Sequence, residues 1–124
     1  MPNGSQASWT VIHVGINRHS DLKCGFQILP EFTVVQHERD VKLLHALKDY
    51  FDCGVVRTNH GDRWAYRVRS KEHLLQRIVP FFIEHPLKSK RRADFEKFCG
   101  VLRLMEAGDH LTLEGVNNVR RLAA

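Results

Sequence analysis

Apolar residues along this chain alternate between a period of two and a period of three to four. Trp9 to Ile16 alternates, with Val14 and Ile16 opposed to His13, Gly15 and Asn17, which predicts a strand. A second strand is predicted over Gly25 to Gln36. There Phe26, Ile28, Phe32 and Val34 share one side, and Gln27, Leu29, Glu31 and Thr33 the other. Pro30 has no amide hydrogen for a ladder, so it is expected at an edge or a bulge. From Glu38 to Phe51 the period becomes helical, through Val41, Leu43, Leu44, Leu47 and Phe51, and Gly54 is expected to end it. Val55 to Arg69 alternates again around Asn59-His60-Gly61-Asp62, a turn in which Gly61 is free to take positive φ; a β-hairpin follows. Ser70 caps a helix from Lys71 to about Ile83, with Leu74, Leu75, Ile78, Val79 and Phe82 inward and Pro80 bending or shortening it. After His85-Pro86, a third helix runs from about Lys90 to Ala107, and Gly108 stops it. Thr112 opens a short last helix carrying Val116, Val119 and Leu122.

The order β-β-α-β-β-α-α-α predicts an α+β fold, an antiparallel four-stranded sheet with helices on one face. In the hairpin, Val56, Trp64, Tyr66 and Val68 fall on one side, and Arg57, Asn59, Ala65, Arg67 and Arg69 on the other. Within the hairpin that second side holds several arginines and no carboxylate. The earlier strands extend it with His13, Gly15, Asn17, Gln27, Leu29, Glu31 and Thr33. Such a side is either plain solvated sheet or a basic, amide-rich saddle for nucleic acid. Arginine and lysine match phosphates and guanine edges, and asparagine and glutamine match adenine edges.

Composition narrows the choice. With 124 residues the chain is expected to be one domain over 1–124, with residues 1–8 a loose lead-in. The 43% hydrophobic and 27% charged content excludes a disordered polyelectrolyte. A net charge of +5 suits a polyanionic partner. No apolar run approaches the roughly 18–20 residues that span a bilayer, and no signal-peptide pattern opens the chain. A cytoplasmic location, or one with DNA in an organelle or nucleoid, is expected, without a membrane. Cys24, Cys53 and Cys99 lack paired spacing, which argues for reduced thiols and against zinc or disulfides. The eight histidines show no HxxxH spacing, so no metal ligands are assigned, His60 and His73 included.

The phrases HVGINRHSDLKCGFQILPEFTVVQ, CGVVRTNHGDRWAYRVR and FFIEHPLKSKRRADFEKF, in that order with a helix between the first two, resemble the LAGLIDADG homing endonucleases of single-motif type. The resemblance runs from about Val11 to the end, and PEFTVVQ and PLKSKRRADF are its more specific parts. It implies a saddle-shaped sheet lying along the major groove of double-stranded DNA, and intron-associated, site-specific cleavage with magnesium. It also implies pairing of two copies as a homodimer. By resemblance, Gln36 stands near the active-site water, and Lys90, in preference to Lys88, near the scissile phosphate. Gln36 also reads as a strand-end glutamine, and the run Lys88, Lys90, Arg91, Arg92 as a phosphate clamp or a solvated helix start. The residues expected to touch DNA are His13, Asn17, Gln27, Thr33, Arg57, Asn59, Arg67, Arg69, Lys88 and Arg91.

One departure bears on catalysis. The helix that names the family stands before the first strand and delivers an acidic metal ligand; here that place reads MPNGSQASW. No carboxylate occurs before Asp21, which lies beyond the first strand. Magnesium needs an anionic oxygen ligand to act on a phosphate. The expectation is DNA binding with cleavage impaired or absent in this chain, as in a truncated or diverged half, unless the gene product begins upstream. The alternatives are a non-catalytic nucleic-acid module, regulatory or maturase-like, and a domain whose saddle binds an acidic protein.

Overall fold

The computed structural model describes residues 9–123; the expected lead-in, residues 1–8, lies outside them. The elements are β1 (Trp9–Arg18), β2 (Phe26–His37), a 3-10 turn (Glu38–Asp40), α1 (Val41–Phe51), β3 (Val55–His60) and β4 (Arg63–Val68). Then follow α2 (Lys71–His73), a π-helical stretch (Leu74–Ile78), α3 (Val79–Glu84), α4 (Ser89–Glu106), a 3-10 turn (Asp109–Leu111) and α5 (Leu113–Ala123). The strands bond in the order β1-β2-β4-β3, giving the expected four-stranded antiparallel sheet with helices. Two compact units result: residues 9–11 with 31–81, and residues 12–30 with 82–123.

In the first unit, Phe32, Val34 and Gln36 of β2 stand opposite Val68, Tyr66 and Trp64 of β4. Val56 of β3 faces Tyr66 from the other side. Helix α1 closes over this set: the Phe51 ring stacks on Tyr66 at 6.3 Å and meets Phe32 edge-on at 6.2 Å. Leu44, Leu74 and Ile78 are fully buried with them. Leu43, placed inward by periodicity, is 48% exposed, because the α1 stripe centres on Leu44 and Phe51. The Tyr66 hydroxyl donates to the Cys53 carbonyl at 2.7 Å.

The end of α1 differs from expectation. The helix stops at Phe51, and Asp52 takes the left-handed position at φ 56°, its amide donating to the Lys48 carbonyl. Gly54 has another task. At φ +87° it lies so close to β4 that a Cβ would stand 2.7 Å from the Arg67 carbonyl. The helix start also differs: Glu38–Asp40 is a 3-10 turn, capped by His37, whose ring accepts from the Arg39 amide.

Pro30 is not on an edge strand, since β2 is flanked by β1 and β4. It precedes the run Phe32–His37 that bonds β4, so its missing donor costs that ladder nothing. The register of β3 against β4 shifts between Thr58 and His60. Pro80 does disturb its helix. In a regular α-helix its ring would strike the carbonyl four residues back. Directly ahead of it the backbone widens into the π stretch, with the Val79 amide bonded to the Leu74 carbonyl.

In the second unit, Ile28 of β2 packs with Val101 and Met105 of α4 and Val116 and Val119 of α5. Val14, Ile16 and Phe26 pack against this cluster, while His13 and Asn17 are exposed, as the alternation predicted. Thr112 caps α5 by accepting from the Gly115 amide at 3.0 Å. The Arg120 guanidinium lies 4.5 Å over the Phe26 ring. All three cysteines are free thiols.

Candidate nucleic-acid interface

In the first unit, Glu31, Thr33 and Val35 of β2 face away from Phe51 and the aromatic core. Thr33, Arg67 and Val55 form one row across β2, β4 and β3, and Val35, Ala65 and Arg57 the next. The middle of this face is short. Ala65 is 1% and Thr33 5% exposed, so both lie beneath their longer neighbours.

The arginines here are not alike. Arg69 Nε donates to Glu31 Oε1 at 2.7 Å. Arg67 Nε stands 3.6 Å from Glu31 Oε2, an ion pair beyond hydrogen-bond reach. Its Nη2 donates to Asn59 Oδ1 at 2.5 Å. Asn59 is available because Thr58 pairs with Trp64 and His60 with Arg63, which leaves Asn59 as the extra residue of a bulge. The Thr33 hydroxyl donates to Glu31 Oε2 at 2.6 Å. Among the described residues Arg57 makes no ion pair, and it is exposed. Burial pushes the Glu31 carboxyl up. The Thr33 and Arg69 hydrogen bonds and the charges of Arg69 and Arg67 outweigh it and hold the group below its usual range.

The sequence-predicted residues can now be placed. Arg57, Asn59, Arg67 and Arg69 come together on this face. Thr33 has the expected parity but serves the network rather than the surface, being buried with its hydroxyl committed to Glu31. Glu31, on this face by parity as expected, reaches across from β2 to Arg67 and Arg69. Gln36 takes the other side, with Phe32 and Val34, and is 2% exposed. Sequence reasoning missed a further link. His37 Nδ1 accepts from the Arg39 amide, so Nε2 carries the hydrogen and donates to Asp62 at 2.9 Å. The Asp62 carbonyl in turn accepts from the Glu38 amide, tying the hairpin turn to the start of α1.

In the second unit, His13 and Asn17 are exposed and Gln27 is half-buried. Lys88 stands at the N-cap of α4, with no side-chain cap, and Lys90 and Arg91 are exposed in the first turn. That turn holds no acidic residue, while Arg92 pairs one turn on with Glu96 at 3.6 Å. Cations at a helix start oppose the helix dipole, an arrangement an external anion relieves. Among the described residues no group of three or more His, Cys, Asp or Glu side chains could hold a metal ion. Magnesium is held by one or two carboxylates together with substrate phosphates, and no hydrolytic step follows from the described residues. No helix is long and apolar enough to cross a membrane among the described residues.

Comparison with known proteins gives these features a family. The chain is 26% identical over 99 residues to the probable intron-encoded endonuclease 2 of Neurospora crassa, covering 79% of this chain and 22% of that protein. It is 33% identical over 89 residues to the homing endonuclease I-ApeII of Aeropyrum pernix, covering 70% of this chain and 52% of that one. Among solved structures, the homing endonuclease I-TnaI superposes with a TM-score of 0.86 at 44% identity, over 97% of this chain and 80% of that one. The meganuclease I-SmaMI, bound to uncleaveable DNA, gives 0.89 at 29% identity, over 97% of this chain and 41% of that one. The chain thus spans about a fifth of the length of its fungal intron-encoded relatives. A family model described as LAGLIDADG endonuclease matches residues 10–102, three quarters of the sequence, and the chain belongs to that family.

Proposed function

We propose that this chain binds double-stranded DNA through the Arg57, Arg67 and Arg69 face of β2, β4 and β3, as a LAGLIDADG module of a site-specific homing endonuclease. The clustering of those arginines over a floor of short side chains carries the reading. The exposed guanidinium groups of Arg57 and Arg69 supply phosphate and guanine contacts. I-SmaMI, similar over nearly the whole of this chain, is solved with DNA.

Cleavage is the weaker half of the function in this chain alone, since the described residues bring together no group of three acidic, histidine or cysteine side chains for a metal ion. Magnesium, when bound, would supply charge neutralisation at the scissile phosphate. Pairing of two copies accompanies this reading.

Fluorescence anisotropy with labelled duplex pools at several salt concentrations tests the binding. Affinity should fall with salt as phosphate contacts release counterions, with a log–log slope of about −0.9 per contact. No binding at low salt, or binding indifferent to salt, would overturn the reading. A nicking assay with magnesium on the enriched sequences tests the second half: site-specific cuts would refute impaired cleavage and leave DNA binding standing. Tighter binding to structured intron RNA than to duplex would favour the maturase-like alternative.

A further inference from the structure

We propose that Glu31 is a positioning residue for sequence readout, holding Arg69 as a reader of base edges with Arg67 as its support. This rests on the DNA-binding reading above. A carboxylate on a surface that meets a polyanion works against affinity. Phosphate attraction alone would be served better by a neutral residue at this position. Glu31 is nevertheless placed with care. Its side chain is 20% exposed, Oε1 accepts from Arg69 Nε at 2.7 Å, and Oε2 accepts from the Thr33 hydroxyl at 2.6 Å. It is ionised through the neutral range, since its two arginines and Thr33 favour the charged form over the cost of burial.

The two arginines are left with different capacities. Arg69 gives Glu31 its Nε and keeps both terminal nitrogens, the pair that matches guanine O6 and N7, with 64% of the side chain exposed. Arg67 is held on two sides, Nη2 by Asn59 and Nε towards Glu31, and is only 26% exposed. Arg67 therefore fills the space beside the carboxylate, and Arg69 projects. Fixing a long side chain before the duplex arrives removes part of the ordering cost of binding and narrows the orientations the guanidinium can offer. Arg57, exposed and without an ion pair among the described residues, has no such constraint and suits a phosphate.

Two substitutions separate charge from position. Glu31→Gln removes the negative charge and weakens the hold on Arg69. Thr33→Val keeps the charge and the β-branched shape but loosens the carboxylate. The full 124-residue chain and both variants are taken through selection on duplexes with a randomised centre, and their affinity for mixed-sequence duplex is measured against salt. Glu31→Gln should bind mixed-sequence duplex more tightly, with a salt slope steeper by up to about 0.9. Its selected consensus should lose most of one guanine preference, a discrimination of about fivefold or more in the parent. Thr33→Val should lose part of that preference with no gain in mixed-sequence affinity. A consensus equally sharp in parent and variants overturns the proposal, as does weaker mixed-sequence binding by a folded Glu31→Gln chain. If Glu31→Gln fails to fold, the near-isosteric Thr33→Val decides by the same criterion. A parent chain that selects no duplex at all overturns the DNA-binding reading instead.

Discussion

Replacing Tyr66 by Phe isolates one buried hydrogen bond. The side chain is 0% exposed. Its ring stacks on Phe51 at 6.3 Å and meets Phe32 edge-on at 6.4 Å, contacts that phenylalanine keeps. Only the hydroxyl goes, and with it the 2.7 Å bond to the Cys53 carbonyl. Cys53 is itself 8% exposed, so its carbonyl has poor access to water as a substitute. Leaving a buried acceptor unpaired costs about 1–3 kcal/mol, so Tyr66→Phe should be destabilised by that amount near neutral pH. For a chain of this length each kcal/mol corresponds to roughly 4 °C in Tm. The difference should shrink in alkali. Burial, the hydrogen bond with the Cys53 thiol at 3.9 Å and the charge of that thiol raise the Tyr66 pKa far above its usual 10.0. The unfolded chain releases this proton near 10 and the folded chain holds it. The stabilisation is complete below that pH and is lost as pH rises towards the folded value. Each pH unit above 10 removes about 1.4 kcal/mol from the parent and nothing at this position from the variant. Urea midpoints by circular dichroism, from about pH 8 to about pH 11, measure this. A parent–variant gap that stays constant over that range would refute the account of the buried phenol.

Four further variants have expected outcomes. Gly54→Ala should lose at least about 2 kcal/mol, because its positive φ and the clash with the Arg67 carbonyl add together. Gly61→Ala, also at positive φ but with nothing within 4 Å, should lose only about 1 kcal/mol, and equal losses in denaturant melts would contradict this. Arg57→Ala should flatten the salt slope of duplex binding by about 0.9 without changing the selected consensus, and a changed consensus would show base contact. The lowered pKa of Glu31 gives stability that is present above its unfolded value and is lost as pH falls through the folded one. The gap in unfolding midpoint between parent and Glu31→Gln should therefore close in acid, and a gap independent of pH would count against the network.

Much of the architecture was legible because period and parity are local properties. The alternation about Phe26, Ile28, Phe32 and Val34 set which side of β2 meets the helices, and Gly61 marked the hairpin. The same parity already put Gln36 with Phe32 and Val34, the side on which it is buried. The features that escaped are of two kinds. Some are local but degenerate: the αL role fell to Asp52 although Gly54 looked the better candidate, and the widening before Pro80 is one of several ways a helix can absorb a proline. Others are non-local. Glu31 reaches Arg69 across 38 positions, and His37 reaches Asp62 across the sheet, so no window of sequence contains either pair. The consequence for the site was that the arginines could be found from the sequence but not told apart.

Ala65 and Thr33 lie buried between Arg57, Arg67 and Arg69, and on the proposed DNA-binding reading this divides the surface for retargeting. The projecting positions can be randomised individually, each change remaining on the outside of the sheet. A larger side chain at 65 would push up the neighbouring guanidinium groups together, altering several contacts with one codon. A library that varies residues 57 and 69 while keeping 33 and 65 fixed should yield separable specificities; one that varies all four should yield mostly silent clones.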